Sequence, residues 1–512
     1  MKKKNLCFIS MIAALCFSCG GGNQISFSSH KKIVISSSKE GKTYTPEEVE
    51  ITETLHSIEN KRQYNTRVLP STGDVNLLVI PVLLPDYQTI DLDGDGKDDK
   101  ENVRSNIQEA FFGKDVAYES VSSYYEKSSY GKLKLKGTVT DWFDISTSGL
   151  PFTNAVSIDV QDTFDVVESA IEWCKNILHM DMTQYDTDKD GYIDGVWLIY
   201  SCPNYTNGGP RTDENNYWAY TSWGNQNEDG DVTSPIYNLF GWASYDFLFE
   251  GYGKSKLDTH TYIHEMGHFL GLNDYYSDSS QYSPIGRVDM MDGNIIDHNS
   301  YSKMLLGWTK PYLVTGNAEI DLYSMENENA CIVIPDDDYA GEDGKFDPFG
   351  EYLLLELYTN DHLNYKDSKE AVLNRPLAMN GKGVRIYHVD KRKFVTDTTD
   401  SRNPTCKIYE GENIDSNHKF ILPIDNSRGA SLYNSIFQLD YSYNLFDEIR
   451  MIEKGNMDTF STGGYQKDKS LFVEGDVFTM EKYGKNFFPK QTTFNNGHTF
   501  SYTISVLGGE KA

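Results

Sequence analysis

Residues His264 to Asp274 read HEMGHFLGLND, and the two histidines four apart are the most chemically informative feature of the chain. An α-helix turns once in about 3.6 residues, so positions i and i+4 share one face. Both imidazoles can then reach one ion, while Glu265, about 100° around the helix, can reach a water on that ion without ligating it. This is the wiring of a zinc-activated water with a carboxylate base. Catalytic zinc usually takes three protein ligands and keeps one position open, so the third ligand must lie beyond the helix. Gly271 can take the left-handed conformation that ends a helix, which turns the chain and brings Asp274 back under the metal. The spacing HxxxHxxGxxD therefore predicts one zinc ion on His264, His268 and Asp274, with Glu265 as general base. Aspartate in place of a third histidine acidifies the bound water less, a cost that the adjacent base offsets.

The alternative is a helix that only packs. Tyr262, Met266 and Phe269 recur at i, i+4, i+7 and supply that packing stripe, so the histidines are not the core face. With 11 histidines in 512 residues, the full pattern is rare by chance. His260 falls one turn before His264, displaced by about 5.4 Å along the axis, and is expected beside the site or in solvent, not on the metal.

Two acidic loops carry a second chemistry. YDTDKDGYID places Asp186, Asp188, Asp190 and Asp194 at positions 1, 3, 5 and 9, with the Tyr192 carbonyl at 7. Hard oxygens at those intervals wrap a calcium ion. Position 12 is Trp197 and a strand follows, so this is not an ordinary EF-hand. DLDGDGKDD repeats the pattern at Asp91, Asp93, Asp95 and Asp99. One or two structural calcium ions are expected, against the plainer reading of acidic Asp/Gly turns.

These motifs need a scaffold. NLLVIPVLL (76–84) reads as a buried strand, and Val103, Ile107 and Phe111 mark a helix over 101–112. KLKLKGTVT alternates like an antiparallel strand. An amphipathic helix is expected over 162–178, then the apolar strand GVWLIYS. Interleaved helices and strands predict a mixed α/β catalytic domain. Beyond Pro311, EYLLLELY, GVRIYHVD, KFILPI and the alternating HTFSYTISVL predict a β-rich, sandwich-like C-terminal domain. There is no internal repeat.

The length of 512 residues implies several domains, and the expected boundaries are 1–19, 20–70, 71–310 and 311–512. Lys+Arg is 47 against Asp+Glu 76, a net charge of −29; such a surface repels nucleic acid. The first segment, with Lys2, Lys3 and Lys4 before an apolar run from Leu6 to Phe17, reads as an export signal. Its end, LCFSCGGGN, resembles a bacterial lipoprotein cleavage site. Cys19 would then be lipidated and the protein anchored at the outer membrane or cell surface. Residues 20–70, polar and serine-rich, read as a tether or propeptide. Cys174, Cys202, Cys331 and Cys406 lack the CxxC spacing of a thiolate metal site. Oligomeric state is not legible.

HEMGHFLGLNDYY, together with VSSYYEKSSYGKLKLKGTVTDWF, YDTDKDGYIDGVWLIYS, RVDMMDGN, HNSYSKMLLGW, EYLLLEL and GVRIYHVD, resembles the metzincin metallopeptidases, and among them the immune inhibitor A-like secreted bacterial proteases. The resemblance covers roughly 71–506. It implies a zinc metalloendopeptidase acting on polypeptides, with His264, His268 and Asp274 on zinc and Glu265 as general base and acid. It also implies that Met291 forms the methionine turn beneath the metal. Met291 is preferred to the adjacent Met290 because Asp289 and Asp292 then flank it. The short N-terminal segment has no cysteine beyond Cys19, so a thiol latch on zinc is not expected. The competing expectation is a surface binding or adhesion protein that keeps this scaffold without turnover.

Overall fold

The computed structural model describes residues 29–508, apart from 60–65, 253–255, 278–281, 428–445 and the single positions 340, 342, 373, 401 and 403. Cys19 and the export signal lie outside the described residues.

A six-stranded sheet carries the site. Its main path runs Leu133–Val139, Gly73–Leu83, Val196–Tyr200, Leu239–Ser244, Tyr220–Trp223, with Phe143–Asp144 also on Gly73–Leu83. Neighbours are parallel except Tyr220–Trp223, which runs antiparallel at one edge. Parallel strands covered on both faces read as continuous apolar runs. Leu77, Val79 and Trp197 accordingly face one core, and Leu78, Ile80 and Leu198 the other. The predicted helices are present as Lys100–Phe112 and Asp162–Asn176.

Leu133–Val139 departs from the antiparallel expectation: it pairs parallel to Gly73–Leu83, from Gly73 opposite Leu133 to Val79 opposite Val139. The chain between them passes through Lys100–Phe112 and Val121–Ser128, which return it to the starting end of the sheet. Its alternation has another cause, for it is the terminal strand, with exposed Lys134 and Lys136 alternating with buried Leu133 and Leu135.

Beyond residue 311 the chain is β-rich. A six-stranded sheet runs Thr43–Tyr44, Tyr312–Val314, Cys331–Pro335, Glu351–Tyr358, Gly383–Asp390, Ile449–Met451. A four-stranded sheet runs Ala318–Tyr323, His30–Ser36, Thr503–Leu507, Val477–Phe478. Ile33, Ile35, Ile320, Ile334, Leu353, Val384 and Ile504 from both sheets share one hydrophobic cluster.

Residues 20–70 are not simply a tether. His30–Ser36 is an interior strand of the four-stranded sheet, with Ile33 opposite both Ile320 and Val506. Leu55 and Ile58 are buried on the helix Leu55–Ile58. The apolar alternation in KKIVIS is short and flanked by lysine and serine, which hid it. The expected boundary at 311 does not separate two cores either. The cluster holding Val75, Trp197 and Met266 continues through Val333, Leu354, Tyr387 and Met451. All four described cysteines are free thiols.

Candidate metal centre and cleft

The helix His260–Phe269 lies against the sheet through Phe269, whose ring stacks on Trp197 at 5.0 Å and 6°. A Cβ on Gly195 or Gly241 would stand 2.8 Å or 3.0 Å from that ring, so glycine just before Val196–Tyr200 and within Leu239–Ser244 admits it. Burying such a side chain is worth about 1.5–3 kcal/mol, and it fixes the helix against the strands beside the cleft.

The helix ends at Gly271, where φ is 90° and the Leu272 amide bonds back to the Gly267 carbonyl at 3.1 Å. This is the left-handed termination expected of glycine. It turns the Leu272 carbonyl onto His268 Nδ1, 2.8 Å away, and brings Asp274 beneath both rings. Asp274 Oδ1 lies 3.0 Å from His264 Nε2 and 3.3 Å from His268 Nε2.

The tautomers follow from the far side of each ring. His264 Nδ1 is 2.8 Å from the Met290 carbonyl, and a carbonyl only accepts, so each Nδ1 carries the proton. In a neutral ring each Nε2 then presents a lone pair to Asp274 Oδ1, a buried atom without a hydrogen-bond partner. Three acceptors pointing at one place need a positive charge between them. Ligand atoms about 2.0–2.1 Å from a tetrahedral zinc stand about 3.3 Å apart, which the observed 3.0 Å and 3.3 Å fit. The same demand for positive charge shows in the metal-free site: burial opposes protonation, yet Asp274 pushes His268 up to about 10, so a proton on Nε2 meets it until an ion takes its place. Burial opposes ionisation of Asp274 too, but the His268 charge and both imidazole contacts hold its carboxyl well below the usual range.

Glu265 is 7% exposed and burial raises its pKa, a state suited to taking and returning a proton. Its partner, which sequence reasoning missed, is Thr221 on the edge strand. The hydroxyl is 3.2 Å from the Glu265 carbonyl and 3.4 Å from its carboxylate. A cleft of about 390 Å³ opens here, lined by Tyr220, Thr221, Trp223, the two histidines, Glu265, Asp274 and Tyr276 among others. A larger cavity of about 530 Å³ beside Asp93 and Asp99 has no histidine in its lining.

Met290 and Met291 are both fully buried and play different parts. The Met291 sulfur fills the space that a Cβ on Gly267 would need, directly beneath the helix, while Met290 contributes its carbonyl to His264. Asp289 ties the turn, accepting from the amides of Met291 at 2.9 Å and Asn299 at 3.1 Å. Tyr275 is buried against Ser302. His260 is fully buried, not in solvent, between Asp258 and Asp367.

Of the first acidic loop, Asp186, Asp188 and Asp194 bring carboxylate oxygens within 4.8 Å of one another. Asp190 stands apart from that trio, its Oδ2 3.3 Å from Arg67 Nε, and the Arg67 guanidinium covers the Tyr192 ring at 5.0 Å. Burial pushes Asp194 up to about 7 and Asp190 to about 6. In the second loop Asp91, Asp93 and Asp99 converge, whereas Asp95 pairs with Lys97. Asp190 and Asp95 thus each have a basic side chain within ion-pair distance.

Residues 76–294 match the family model described as immune inhibitor A peptidase M6, catalytic domain. The match takes in both histidines, Glu265, Asp274 and Met291. A search of curated proteins returned no match.

Proposed function

We propose that this chain, immune inhibitor A-like over residues 76–294 and on that ground a metallopeptidase, is a zinc-dependent endopeptidase of the metzincin type. The convergence of two imidazole lone pairs and the Asp274 carboxylate on one point, beside buried Glu265, carries the reading. His264, His268 and Asp274 would hold the ion. Bound zinc would supply Lewis acidity and a water acidified to near neutral pH. Glu265 accepts the proton of the attacking water and hands it to the departing amine nitrogen. Thr221 keeps the Glu265 side chain from swinging away. The edge strand Tyr220–Trp223 pairs on one side only within its sheet and lines the cleft, so an extended polypeptide can add to it by main-chain hydrogen bonds. Met291 forms the apolar floor, and the paired C-terminal sheets make the sandwich that backs it.

The same proposal gives Asp186, Asp188 and Asp194 a structural calcium ion, with Asp91, Asp93 and Asp99 as a more exposed second site. It keeps the export signal and lipidation at Cys19, which place the enzyme at the cell surface against extracellular proteins. Support for the latter is the sequence pattern around Cys19. No observation favours the inactive binding protein, since base and ligands stand together.

The test is casein digestion by the parent and Glu265→Gln, each with and without a zinc chelator. The parent should lose activity with the chelator and regain it with zinc. Glu265→Gln should keep the metal and cleave at least about a hundredfold more slowly. Parental turnover by that variant would overturn the mechanism.

A further inference from the structure

The loop that carries Asp274 is gripped on both sides by residues far along the chain. At position 273, Asn273 Nδ2 donates to Glu448 Oε2 at 2.7 Å. At position 275, the Tyr275 carbonyl accepts from Asn426 Nδ2 at 3.1 Å. The two gripping residues are locked to each other, for the Glu448 amide donates to Asn426 Oδ1 at 2.7 Å. Glu448 is 1% exposed and is itself fixed by Lys391 at 2.6 Å and by the Tyr301 hydroxyl at 2.8 Å. Asn426 is 5% exposed and also donates to the Ile449 carbonyl at 2.9 Å.

The two histidines need no such help, because their helix is rigid and each Nδ1 is anchored on a carbonyl. Asp274 sits in a loop, and a loop ligand must give up conformational freedom to meet the metal. Removing that freedom in advance strengthens binding without adding a ligand.

We propose that Glu448 and Asn426 are positioning residues for Asp274, so that the metal centre is completed by a clamp from the C-terminal region, outside the segment 76–294 that matches the peptidase family. This rests on the zinc-site reading above. The 71–310 stretch alone would contain every ligand and still hold the metal poorly.

The experiment uses the full chain and reads zinc affinity by competition with a chromophoric chelator, alongside thermal unfolding of the metal-free protein. Asn273→Ala removes the donor at a half-buried position and leaves Glu448 its Lys391 and Tyr301 partners. Asn273→Asp sets a second carboxylate against Glu448. His264→Ala reports whether zinc occupies the proposed centre at all. The parent should bind one zinc that His264→Ala loses. Asn273→Ala should bind about 10- to 100-fold more weakly, the usual cost of losing a group that orients a ligand, and Asn273→Asp more weakly still. The metal-free melting temperature of Asn273→Ala should stay within about 2 °C of the parent, as for a surface change. Parental zinc affinity in Asn273→Ala overturns the clamp and leaves the zinc site standing. So does a metal-free destabilisation that accounts for the whole affinity loss. Failure of the parent to bind zinc, or unchanged binding in His264→Ala, overturns the zinc reading itself.

Discussion

The Thr221 hydroxyl stands 3.4 Å from the Glu265 carboxylate and 3.2 Å from the carbonyl of the same residue. One side chain on the edge strand thus touches both the backbone and the functional end of the base. A long hydrogen bond of this kind is worth about 1 kcal/mol, or about fivefold in rate. Thr221→Val, which keeps the shape and loses the hydroxyl, should lower kcat about fivefold with KM little changed. Thr221→Ser should restore it. Steady-state kinetics on one peptide decides, and equal kcat in all three proteins would remove Thr221 from the mechanism.

Ile33 faces the shared core from the strand His30–Ser36 and is fully buried. Placing a charge there should cost at least about 3 kcal/mol, so Ile33→Asp should unfold at far lower urea concentration than the parent. Ser36→Asp, on the same strand but exposed, should leave the midpoint unchanged. Similar midpoints for the two variants would contradict the placement of this strand in the core.

His260 lies 2.7 Å from Asp258 Oδ1 and 3.3 Å from Asp367 Oδ1, under the stacked Tyr118 ring at 4.3 Å, with Arg375 2.8 Å from Asp258 Oδ2. Burial disfavours the imidazolium, yet the two carboxylates outweigh it and raise the pKa above 6.5. A raised folded-state pKa stabilises fully below the unfolded value, and the contribution is lost as pH rises through the folded value. Melting temperatures measured from pH 6 upward should therefore fall more steeply for the parent than for His260→Gln. Parallel curves would show that folding does not raise the His260 pKa.

Asp194 is pushed up to about 7 by burial, with the Asp188 and Asp186 charges adding to it. Ionising it therefore destabilises the metal-free fold, and the loss grows as pH climbs from the carboxylate range to about 7. At pH 8 without calcium, Asp194→Asn should melt above the parent. Calcium should raise the parent, by about 2.7 kcal/mol at a hundred times the Kd of this site, and raise the variant, which keeps only the second loop, by clearly less. A calcium response of equal size in both proteins would place the ion elsewhere.

What could be read from residue order was what one element or one turn encodes. HEMGH sits on a single helix and Gly271 has only one neighbour to turn, so the approach of Asp274 to both imidazoles followed from local geometry. The Arg67 contact to Asp190 was illegible for the opposite reason, since the two lie far apart in sequence and no spacing rule contains them. Strand direction at Leu133–Val139 was misjudged because alternation reports which faces are covered, not which way a neighbour runs. Thr221 left no trace at all: a threonine in a strand is ordinary, and its meaning comes from a helix more than forty positions later.

The placement of His30–Ser36 between Ala318–Tyr323 and Thr503–Leu507 sets an order of events. A nascent chain makes this segment long before its partners, for one edge is covered only by a strand roughly three hundred positions later and the other by a strand nearly five hundred positions later. Until then the strand is an open template for pairing with other chains, the hazard of long-range β topology. Sealing the sheet is thus a late step of biogenesis, and that edge needs shielding until Thr503–Leu507 has been made.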